Sequence, residues 1–435
     1  MTVIAQRLVG EVLLLTGGQL VPGGAVDIGT DGRIVAVGPE SGLAPPERVG
    51  SVDRVGGLLM PGLVNAHAHT PMTLVRSAGD GMPLETWLTD AIWPREGHMT
   101  PDDAKWGMML GSTEMLLAGV TTSCEMYFFE DAMVEAVRRT GGRLVMTPGV
   151  VSALLPNGDV EPRITELDEL FSRYHDPSGR VTVGFAPHSP YDLTPEQVAK
   201  IARQAQAVGA LLHIHLEETE AERALVLARH GCTATQLLAD HGVLEGQVLA
   251  AHGVWLDAND QRLLAEAGAS VAHCPISNLK LGSGIAPVVD FLSAGVNVGL
   301  GTDGVASNDN LDLWEEVKLT PLLARGSRRD PAAMDAAATL TLATTGAARA
   351  VGLDSVGDLR PGAWADVIRI DLDQPQFAPG IDLLTHVVFA GSSRHVTDVW
   401  VAGHRVVSDR MSTMVDLDEV VAQCRTRGRR LALAN

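Results

Sequence analysis

The feature that most constrains the fold is a series of eight short apolar runs in the centre of the chain. Helix-like stretches such as DAMVEAVRRTGG and PEQVAKIARQAQAVGA, which end at glycine, separate them. The runs are LVNAHAH (63–69), GVTTSCEM (119–126), RLVMTPGV (143–150), VTVGFAPH (181–188), LLHIHLE (211–217), QVLAAHGV (247–254), ASVAHCPI (269–276) and VNVGLGTD (296–303). This alternation predicts repeated βα units and a parallel sheet. Eight units over residues 61–360 predict an α/β fold of the (β/α)8 TIM-barrel type. The alternative, a doubly wound sheet, normally has a Gly-rich phosphate loop after its first strand, and this chain has none there.

The two ends of the chain differ from this centre. Residues 1–60 and 361–435 contain short β-like runs separated by turn signals, such as TDG and the glycine pair in VGGLLMPG. We expect both ends to form one small β-sandwich domain, together with a C-terminal helix, into which the barrel of residues 61–360 is inserted. The opening segment MTVIAQRLVGEVLLLTGG lacks the small-residue cleavage pattern of a signal peptide and is predicted to be a strand.

Charge and cysteine content limit the partners and the compartment. The formal net charge of −20 argues against a nucleic-acid backbone or an anionic membrane surface as the main partner, although a local basic site could bind a small anion. No run approaches the roughly 18 apolar residues of a membrane helix. The four cysteines are scattered without a CxxC pair, which disfavours a disulfide framework and favours the reducing cytoplasm.

Polar side chains recur where the predicted strands end. These residues are His67, His69, His188, His215, His252, His273 and Asp303. The carboxyl ends of the strands form the active-site face of a TIM barrel, so the sequence predicts that these side chains converge on one mouth.

Four of these residues form a plausible set of metal ligands. His67 and His69 are two residues apart, so both point to the same side of a strand and could chelate one ion. Each signal alone has an ordinary interpretation: the histidines could bind backbone carbonyls, the acidic segment after His215 could be a helix start, and Asp303 before glycine could be a turn residue. Their combination at the ends of different strands is far more specific. Three imidazoles and one carboxylate suit Zn²⁺ or Fe²⁺ and leave room for a water, whose pKa such an ion lowers.

With these motifs in place, the chain resembles the amidohydrolase superfamily. The motifs are NAHAHTPM, PHSPYDL, HIHLEET, AHGVWL, HCPISNLKLGSGIAPV and GLGTDGVASNDNLDLWEEVK, in that order, and the likeness spans nearly the whole chain. They are most similar to the branch of S-adenosylhomocysteine and 5′-methylthioadenosine deaminases, with the triazine hydrolases nearby. The resemblance implies one Zn²⁺ per subunit, with Fe²⁺ or Mn²⁺ as alternatives. It also implies a homo-oligomer, either a dimer or a tetramer.

The resemblance further implies a role for each residue of the centre. The metal ligands would be His67, His69, His215 and Asp303. Asp303 would also accept a proton from the attacking water, Glu218 would carry it to a ring nitrogen, and His252 would orient the water and stabilise the developing charge. The fourth predicted strand ends in Ala186-Pro187-His188 and offers no lysine to bridge two metals, which favours a single ion.

Substrate contacts are implied in the same way. Trp87 would pack against the nucleoside, Glu96 would accept hydrogen bonds from ribose hydroxyls, His188 and Glu218 would also contact the nucleoside, and Arg163 would bind the carboxylate of a homocysteine tail. The ordinary interpretations are a core position for Trp87 and solvated surface positions for Glu96 and Arg163. His273 and Asn278 are expected to shape the wall of the site without being ligands.

The predicted reaction is hydrolytic deamination of a 6-aminopurine nucleoside (5′-methylthioadenosine, S-adenosylhomocysteine or adenosine) to the inosine analogue and ammonia. The alternative is a one-metal amidohydrolase that acts on a free base, namely guanine, cytosine or 8-oxoguanine, or on an s-triazine. A free base has no ribose diol for Glu96 to bind, so this residue distinguishes the two. A catalytically inactive binding protein is disfavoured, because every expected ligand and proton-transfer position is present.

Overall fold

The computed structural model describes residues 3–433. Its strands are, in chain order, β1 (Ile4–Val9), β2 (Val12–Leu15), β3 (Gln19–Pro22), β4 (Gly24–Gly29), β5 (Ile34–Pro39), β6 (Val49–Arg54), β7 (Leu58–Pro61), β8 (Leu63–Ala68), β9 (Val120–Tyr127), β10 (Arg143–Val150), β11 (Val181–Val183), β12 (Ala186–Pro187), β13 (Leu212–Leu216), β14 (Val248–His252), β15 (Ser270–His273), β16 (Asn297–Leu300), β17 (Val367–Ile370), β18 (Val396–Val401), β19 (His404–Ser408) and β20 (Met411–Ser412).

The helices follow the same chain order. They are α1 (Leu84–Thr86), α2 (Trp93–Glu96), α3 (Pro101–Leu117), α4 (Glu130–Thr140), α5 (Glu161–Tyr174), α6 (Pro195–Val208), α7 (Glu220–His230), α8 (Ala234–Asp240), α9 (Ala258–Ala267), α10 (Pro275–Lys280), α11 (Val288–Ala294), α12 (Val305–Asn308), α13 (Leu313–Arg328), α14 (Ala336–Leu342), α15 (Thr345–Ala350), α16 (Leu383–Phe389) and α17 (Leu417–Ala432). A π-helical turn, Trp87–Ile92, joins α1 to α2.

The central residues form a TIM-barrel-type α/β fold, and a strand lies in each of the eight predicted places. Strands β8 to β11 form one parallel sheet and β13 to β16 form another, with neighbours in chain order. The fourth predicted strand is interrupted, so that β11 and β12 pair separately with β10. Single parallel bridges join the two sheets at Phe185–Leu212 and at Ala68–Asp303. The strands are buried on both faces, which is why they are continuous apolar runs in the sequence.

The helices between these strands begin and end where the local sequence favours it. The Thr194 hydroxyl accepts a hydrogen bond from the Gln197 backbone N–H at the start of α6, and the Gln197 side chain binds back to Thr194. Helices α4 and α6 end at Gly141 and Gly209, whose φ angles are 89° and 65°. These left-handed conformations favour glycine, so the predicted helix ends are confirmed.

The two ends of the chain meet in one sheet. Its strand order is β20-β19-β18-β17-β7-β2-β3, and β17 pairs antiparallel with β7. A second sheet, with the order β5-β4-β1-β6, contains only residues near the N-terminus. Side chains from both sheets, including those of Leu8, Val26, Leu13, Leu59 and Trp400, share one buried cluster. Strands from both ends of the chain therefore lie in one sheet.

The C-terminal helix differs from the expectation that grouped it with the small β domain, because it packs against helix α3 of the central region. Its apolar face buries Val420, Cys424 and Leu431. On its polar face, Arg427 and Arg430 form ion pairs with Asp102 and Asp103 at the start of α3. The apolar face and these ion pairs therefore hold the C-terminal helix against α3.

The sequence also led us to expect no membrane-spanning helix and no disulfide framework. Among residues 3–433, no helix is both long enough and apolar enough to cross a membrane. All four cysteines are free thiols, as their spacing predicts.

Candidate active site

Side chains at the ends of three barrel strands converge at one point. His67 and His69 lie at the end of β8, His215 on β13 and Asp303 just after β16. Asp303 Oδ1 lies 3.2 Å from His67 Nε2 and 3.3 Å from His69 Nε2. His215 Nε2 lies 3.3 Å from His69 Nε2. The structure therefore brings the four predicted metal ligands together.

The other nitrogen of each ligand imidazole is held from behind. His67 Nδ1 lies 2.9 Å from Nε2 of His213, His69 Nδ1 lies 2.5 Å from the Met126 carbonyl oxygen, and His215 Nδ1 lies 3.0 Å from the His188 carbonyl oxygen. Contacts of this kind fix the Nδ1–H tautomer and aim Nε2 at the centre, as is typical of histidines that bind a metal.

The donor set fits a divalent ion. His67 Nε2 is fully buried and, although it lies 3.2 Å from Asp303 Oδ1, it makes no hydrogen bond within residues 3–433. Ligand atoms of His67, His69 and Asp303 lie within 4.8 Å of one another, and so do those of His67, His215 and His252. An unsatisfied nitrogen surrounded by further nitrogen and carboxylate donors is what a Zn²⁺ or Fe²⁺ site requires.

Asp303 is fixed by its own surroundings. Its Oδ2 accepts hydrogen bonds from the hydroxyls of Ser277 at 2.6 Å and Ser307 at 3.1 Å, whereas its Oδ1 faces the histidines. The backbone of Asp303 is left-handed, with φ of 60°, and that of His252 has φ of 75°. Conformations of this kind are costly for non-glycine residues and persist where the surrounding structure enforces them, commonly at functional sites.

Glu218 and His252 lie beside this cluster. His252 Nε2 is 3.7 Å from Glu218 Oε2, and its Nδ1 is 2.9 Å from Asn278 Oδ1. Burial raises the pKa of Glu218 above its ordinary value. Burial opposes protonation of His252, but the carboxylates of Glu218 and Asp303 outweigh it and raise the pKa of the imidazole. A carboxyl group whose neutral form is favoured is suited to carrying a proton.

The cluster opens into a cavity whose empty space, including the part open to solvent, is about 660 Å³. The segment from α1 through the π-helical turn to α2 forms one wall. Four of the five predicted substrate residues line the cavity, namely Trp87, Glu96, His188 and Glu218. Trp87 is also a core residue, because its side chain is buried. Its indole N–H donates a 2.9 Å hydrogen bond to the Ala78 carbonyl. A concave, mainly apolar space with a few polar groups is typical of a small-molecule site.

Glu96 is buried in this wall, although its ordinary sequence interpretation is a surface position. The hydroxyl of Tyr127 donates a 2.6 Å hydrogen bond to Glu96 Oε1. Burial raises the pKa of Glu96 and the hydrogen bond from Tyr127 lowers it, and the net pKa is about 7.

Arg163 differs from the other predicted substrate residues, because it does not line the cavity. Its Nη2 donates to Glu130, its Nη1 lies 2.7 Å from Glu166 Oε2, and its Nε donates a 3.1 Å hydrogen bond to the Gly149 carbonyl. In this arrangement the guanidinium of Arg163 binds neighbouring carboxylates of α4 and α5.

Several residues of the site were not predicted from the sequence. His213 could have been found, because it stands two residues before His215 in the same HxH spacing as His67 and His69. Glu125 accepts hydrogen bonds from the backbone N–H and the hydroxyl of Thr70, next to His69, and no local pattern indicates this. Neither the Tyr127 contact with Glu96 nor the Ser277 contact with Asp303 has a sequence signal.

His273 and Asn278 were expected to shape the wall of the site. Both are buried and neither lines the cavity, but Asn278 holds His252 as described above. Neither residue is in the cluster of donor atoms.

Comparison with known proteins places this arrangement in a family. Residues 58–406 match the model of the amidohydrolase family. The chain is 40% identical to the 5-methylthioadenosine/S-adenosylhomocysteine deaminase of Pelotomaculum thermopropionicum, over 92% of each chain. It is also 40% identical to the enzyme of the same name from Moorella thermoacetica, over 94% of this chain and 96% of that one.

Solved structures give the same result. The fold matches a zinc-bound adenosine deaminase from Xanthomonas campestris with a TM-score of 0.93 and 32% identity, over 98% of both chains. It matches the atrazine chlorohydrolase of Arthrobacter aurescens, in complex with zinc, with a TM-score of 0.90 and 25% identity, over 97% of this chain and 100% of that one. The family match covers most of the chain and includes every residue of the convergent cluster, so this chain belongs to the amidohydrolase family.

Proposed function

We propose that the chain is a metal-dependent aminohydrolase that deaminates a 6-aminopurine nucleoside to the inosine analogue and ammonia. The observation that carries this proposal is the position of Glu96, a buried carboxylate on the wall of the cavity that opens from the histidine and aspartate cluster. A free base or a triazine has no ribose diol for such a group to bind. Relatives that cover nearly the whole chain are named for deamination of 5-methylthioadenosine and S-adenosylhomocysteine.

The proposed metal is one Zn²⁺ per subunit, with Fe²⁺ or Mn²⁺ as ions that the same donors accept. The ligands would be His67, His69, His215 and Asp303, whose donor atoms face a common centre. When bound, such an ion supplies Lewis acidity, which brings the pKa of water toward neutrality and provides a nucleophile. Two structural neighbours carry zinc, which supports this choice of metal.

The protons would be handled by three side chains. Asp303 accepts a proton from the attacking water, and its Oδ2 is already fixed by serine hydroxyls. Glu218, whose neutral form is favoured by burial, delivers a proton to the ring nitrogen next to the carbon under attack. His252, held by Asn278, orients the water and stabilises the negative charge that develops on its oxygen.

The nucleoside would be held by the cavity wall. Glu96 accepts hydrogen bonds from the ribose hydroxyls, Trp87 packs against the apolar face of the substrate, and His188 makes a further polar contact. The π-helical turn places Trp87 and Glu96 on one short segment, so both contacts depend on the same piece of backbone.

The test is ammonia release from the zinc-loaded protein with 5′-methylthioadenosine, S-adenosylhomocysteine, adenosine, adenine, guanine, cytosine and a chlorotriazine, with chloride also followed for the last. We expect turnover of at least one nucleoside in preference to the free bases. Turnover of bases alone would leave the metal chemistry in place and exclude the nucleoside-binding role of Glu96.

A second experiment tests the proton carrier. We expect Glu218→Gln to retain zinc and to lose turnover by a factor on the order of 100 to 10,000, because the amide keeps the shape but cannot carry the proton. Glu220→Gln, on the exposed start of α7, is the matched control and keeps full turnover. Near-normal activity of Glu218→Gln would remove Glu218 from the mechanism.

The finer architecture is also a proposal. We propose that the eight barrel strands close into a ring, that residues 61–360 form this barrel, and that residues 1–60 and 361–435 form a small β-sandwich domain apart from the helix α17. The bridges Phe185–Leu212 and Ala68–Asp303 and the shared apolar cluster of the two outer sheets support this. We further propose a cytoplasmic homo-oligomer, either a dimer or a tetramer, whose state light scattering would measure.

A further inference from the structure

The side chains that line the cavity determine which 5′ substituent of a nucleoside can bind there. The inference drawn from them rests on the proposed function. Much of the wall is apolar and includes Leu84, Trp93, Phe128, Val151 and Leu154. Among the described residues that line the cavity, there is no lysine or arginine. The charged side chains there are the carboxyl groups of Glu96, Glu218 and Asp303, beside the histidines of the metal cluster.

This composition distinguishes between two kinds of substrate tail. A methylthio group is small and uncharged, so burial against apolar side chains favours its binding. A homocysteine tail carries an ammonium group and a carboxylate. Its ammonium could face a carboxylate of the wall, but its own carboxylate would lose its hydration without gaining a cationic partner. Burying an unpaired charge in this way is strongly unfavourable.

Arg163 is the partner that the family resemblance implies, but groups of the protein itself already bind its guanidinium. Each of its three nitrogens donates: Nε to the Gly149 carbonyl at 3.1 Å, Nη1 to Glu166 at 2.7 Å and Nη2 to Glu130. The side chains of Arg163 and Glu130 are only 11% and 8% exposed. If Arg163 turned toward a substrate, the buried Glu130 carboxylate would be left without its cation. Gly149 itself lines the cavity, so Arg163 supports the wall from behind.

We propose that this chain selects nucleosides with an uncharged 5′ substituent, such as 5′-methylthioadenosine and adenosine, and discriminates against S-adenosylhomocysteine. The selection comes from an apolar wall without a cation, and Arg163 is a positioning residue for Gly149 instead of a ligand for the substrate tail.

The test compares kcat/KM of the zinc-loaded wild type for 5′-methylthioadenosine, 5′-butylthioadenosine and S-adenosylhomocysteine. The butylthio compound has a tail of similar length without charges. We expect the two uncharged thioethers to react with values within about ten-fold of each other, and S-adenosylhomocysteine to be on the order of 100-fold poorer. Dissociation constants for the same compounds on Glu218→Gln, measured by calorimetry, should follow the same order.

The outcomes separate this inference from the proposed function. Equal kcat/KM for S-adenosylhomocysteine and 5′-methylthioadenosine would overturn the inference and leave the proposed function intact. Poor turnover of both long tails would replace charge by size as the cause and would also overturn it. If no nucleoside is turned over, the proposed function fails, and this inference with it.

Two variants test the role of Arg163. In Arg163→Met, the ratio of kcat/KM between S-adenosylhomocysteine and 5′-methylthioadenosine should stay at its wild-type value, as in the exposed control Arg173→Met. A selective loss on S-adenosylhomocysteine would show that Arg163 binds the tail. If Arg163→Met does not fold, Leu154→Arg provides the converse test, because a cation added to the wall should raise that ratio about ten-fold or more. An unchanged ratio in Leu154→Arg would contradict the charge argument.

Discussion

The hydroxyl of Tyr127 donates a 2.6 Å hydrogen bond to Oε1 of Glu96 inside the wall of the cavity. Strand β9 ends at Tyr127, and Glu96 ends the short helix α2, so two distant segments form this pair. Because the hydrogen bond favours the ionised form of Glu96, the phenol partly offsets the preference for the neutral acid that burial creates.

Tyr127→Phe should therefore weaken nucleoside binding. Loss of a hydrogen bond to a charged group is worth about 1.5–3 kcal/mol, so we expect KM for nucleosides to rise by about ten-fold or more, with a smaller change in kcat. Steady-state kinetics would measure both constants. Tyr174→Phe, which removes a surface hydroxyl, is the control. An unchanged KM in Tyr127→Phe would contradict the contribution of this pair to binding.

Nucleoside binding should also depend on pH through Glu96. Burial raises the pKa of this group to about 7, so it is largely neutral below pH 7 and ionised above it. A carboxylate accepts stronger hydrogen bonds from hydroxyls than the neutral acid does, so 1/KM should increase as the pH rises through about 7. The ratio of 1/KM between wild type and Glu96→Gln, taken at each pH, cancels the other ionisations. A ratio that stays constant from pH 6 to pH 8 would exclude this titration.

His213 should contribute to metal affinity although it is not a predicted ligand. Its Nε2 lies 2.9 Å from Nδ1 of His67, and its own Nδ1 lies 3.0 Å from the Thr147 hydroxyl. Removal of such a supporting group typically weakens metal binding by about 10- to 100-fold, so His213→Leu should raise the zinc dissociation constant by that factor. Competition with a chromogenic chelator measures it. His241→Leu, outside the site, should bind zinc as the wild type does, and equal affinity in both variants would contradict the prediction.

Ser277 should affect the rate more than it affects metal content. Its hydroxyl lies 2.6 Å from Asp303 Oδ2, whereas Asp303 Oδ1 faces the histidines. We expect Ser277→Ala to lower kcat by about ten-fold and to shift its pH profile, because the proton-accepting carboxylate loses a donor, while Ser307 keeps it in place. Zinc content by mass spectrometry should stay at one per chain. Ser277→Thr restores the hydroxyl and should recover activity; failure of that rescue would indicate a packing role.

Arg223 should be important for stability. It lies 2.6 Å from Glu217, 2.6 Å from Asp257 and 2.9 Å from Asp260, and the side chains of Glu217 and Asp260 are fully buried. Removal of one partner of a buried ion pair costs about 3–5 kcal/mol, so Arg223→Met should lower the unfolding temperature strongly. The exposed pair of Arg262 and Glu266 provides the control, because Arg262→Met should cost at most about 1 kcal/mol. Calorimetry compares the two, and equal losses would contradict the argument.

Much of the barrel was predictable because its signals are local. Each buried parallel strand is a continuous apolar run, and each predicted helix end carries a glycine whose conformation requires it. The His67-Ala-His69 spacing, with His215 and Asp303 at other strand ends, predicted one centre, since all parallel strands end at the same face. The sequence therefore determined the type of fold and the four donors that meet, and it indicated that the two chain ends share one β structure.

The tertiary structure decided how charged and polar side chains are used. The family resemblance implies that Arg163 contacts a substrate tail, but its bonds to Glu130 and Glu166 depend on how α4 and α5 pack. The C-terminal helix packs on the barrel because Asp102 and Asp103 face its arginines there. Local sequence specifies periodicity and turns, whereas a guanidinium takes whichever carboxylates the packing brings within reach. Partners of that kind are set by distances across the fold, which no local pattern encodes.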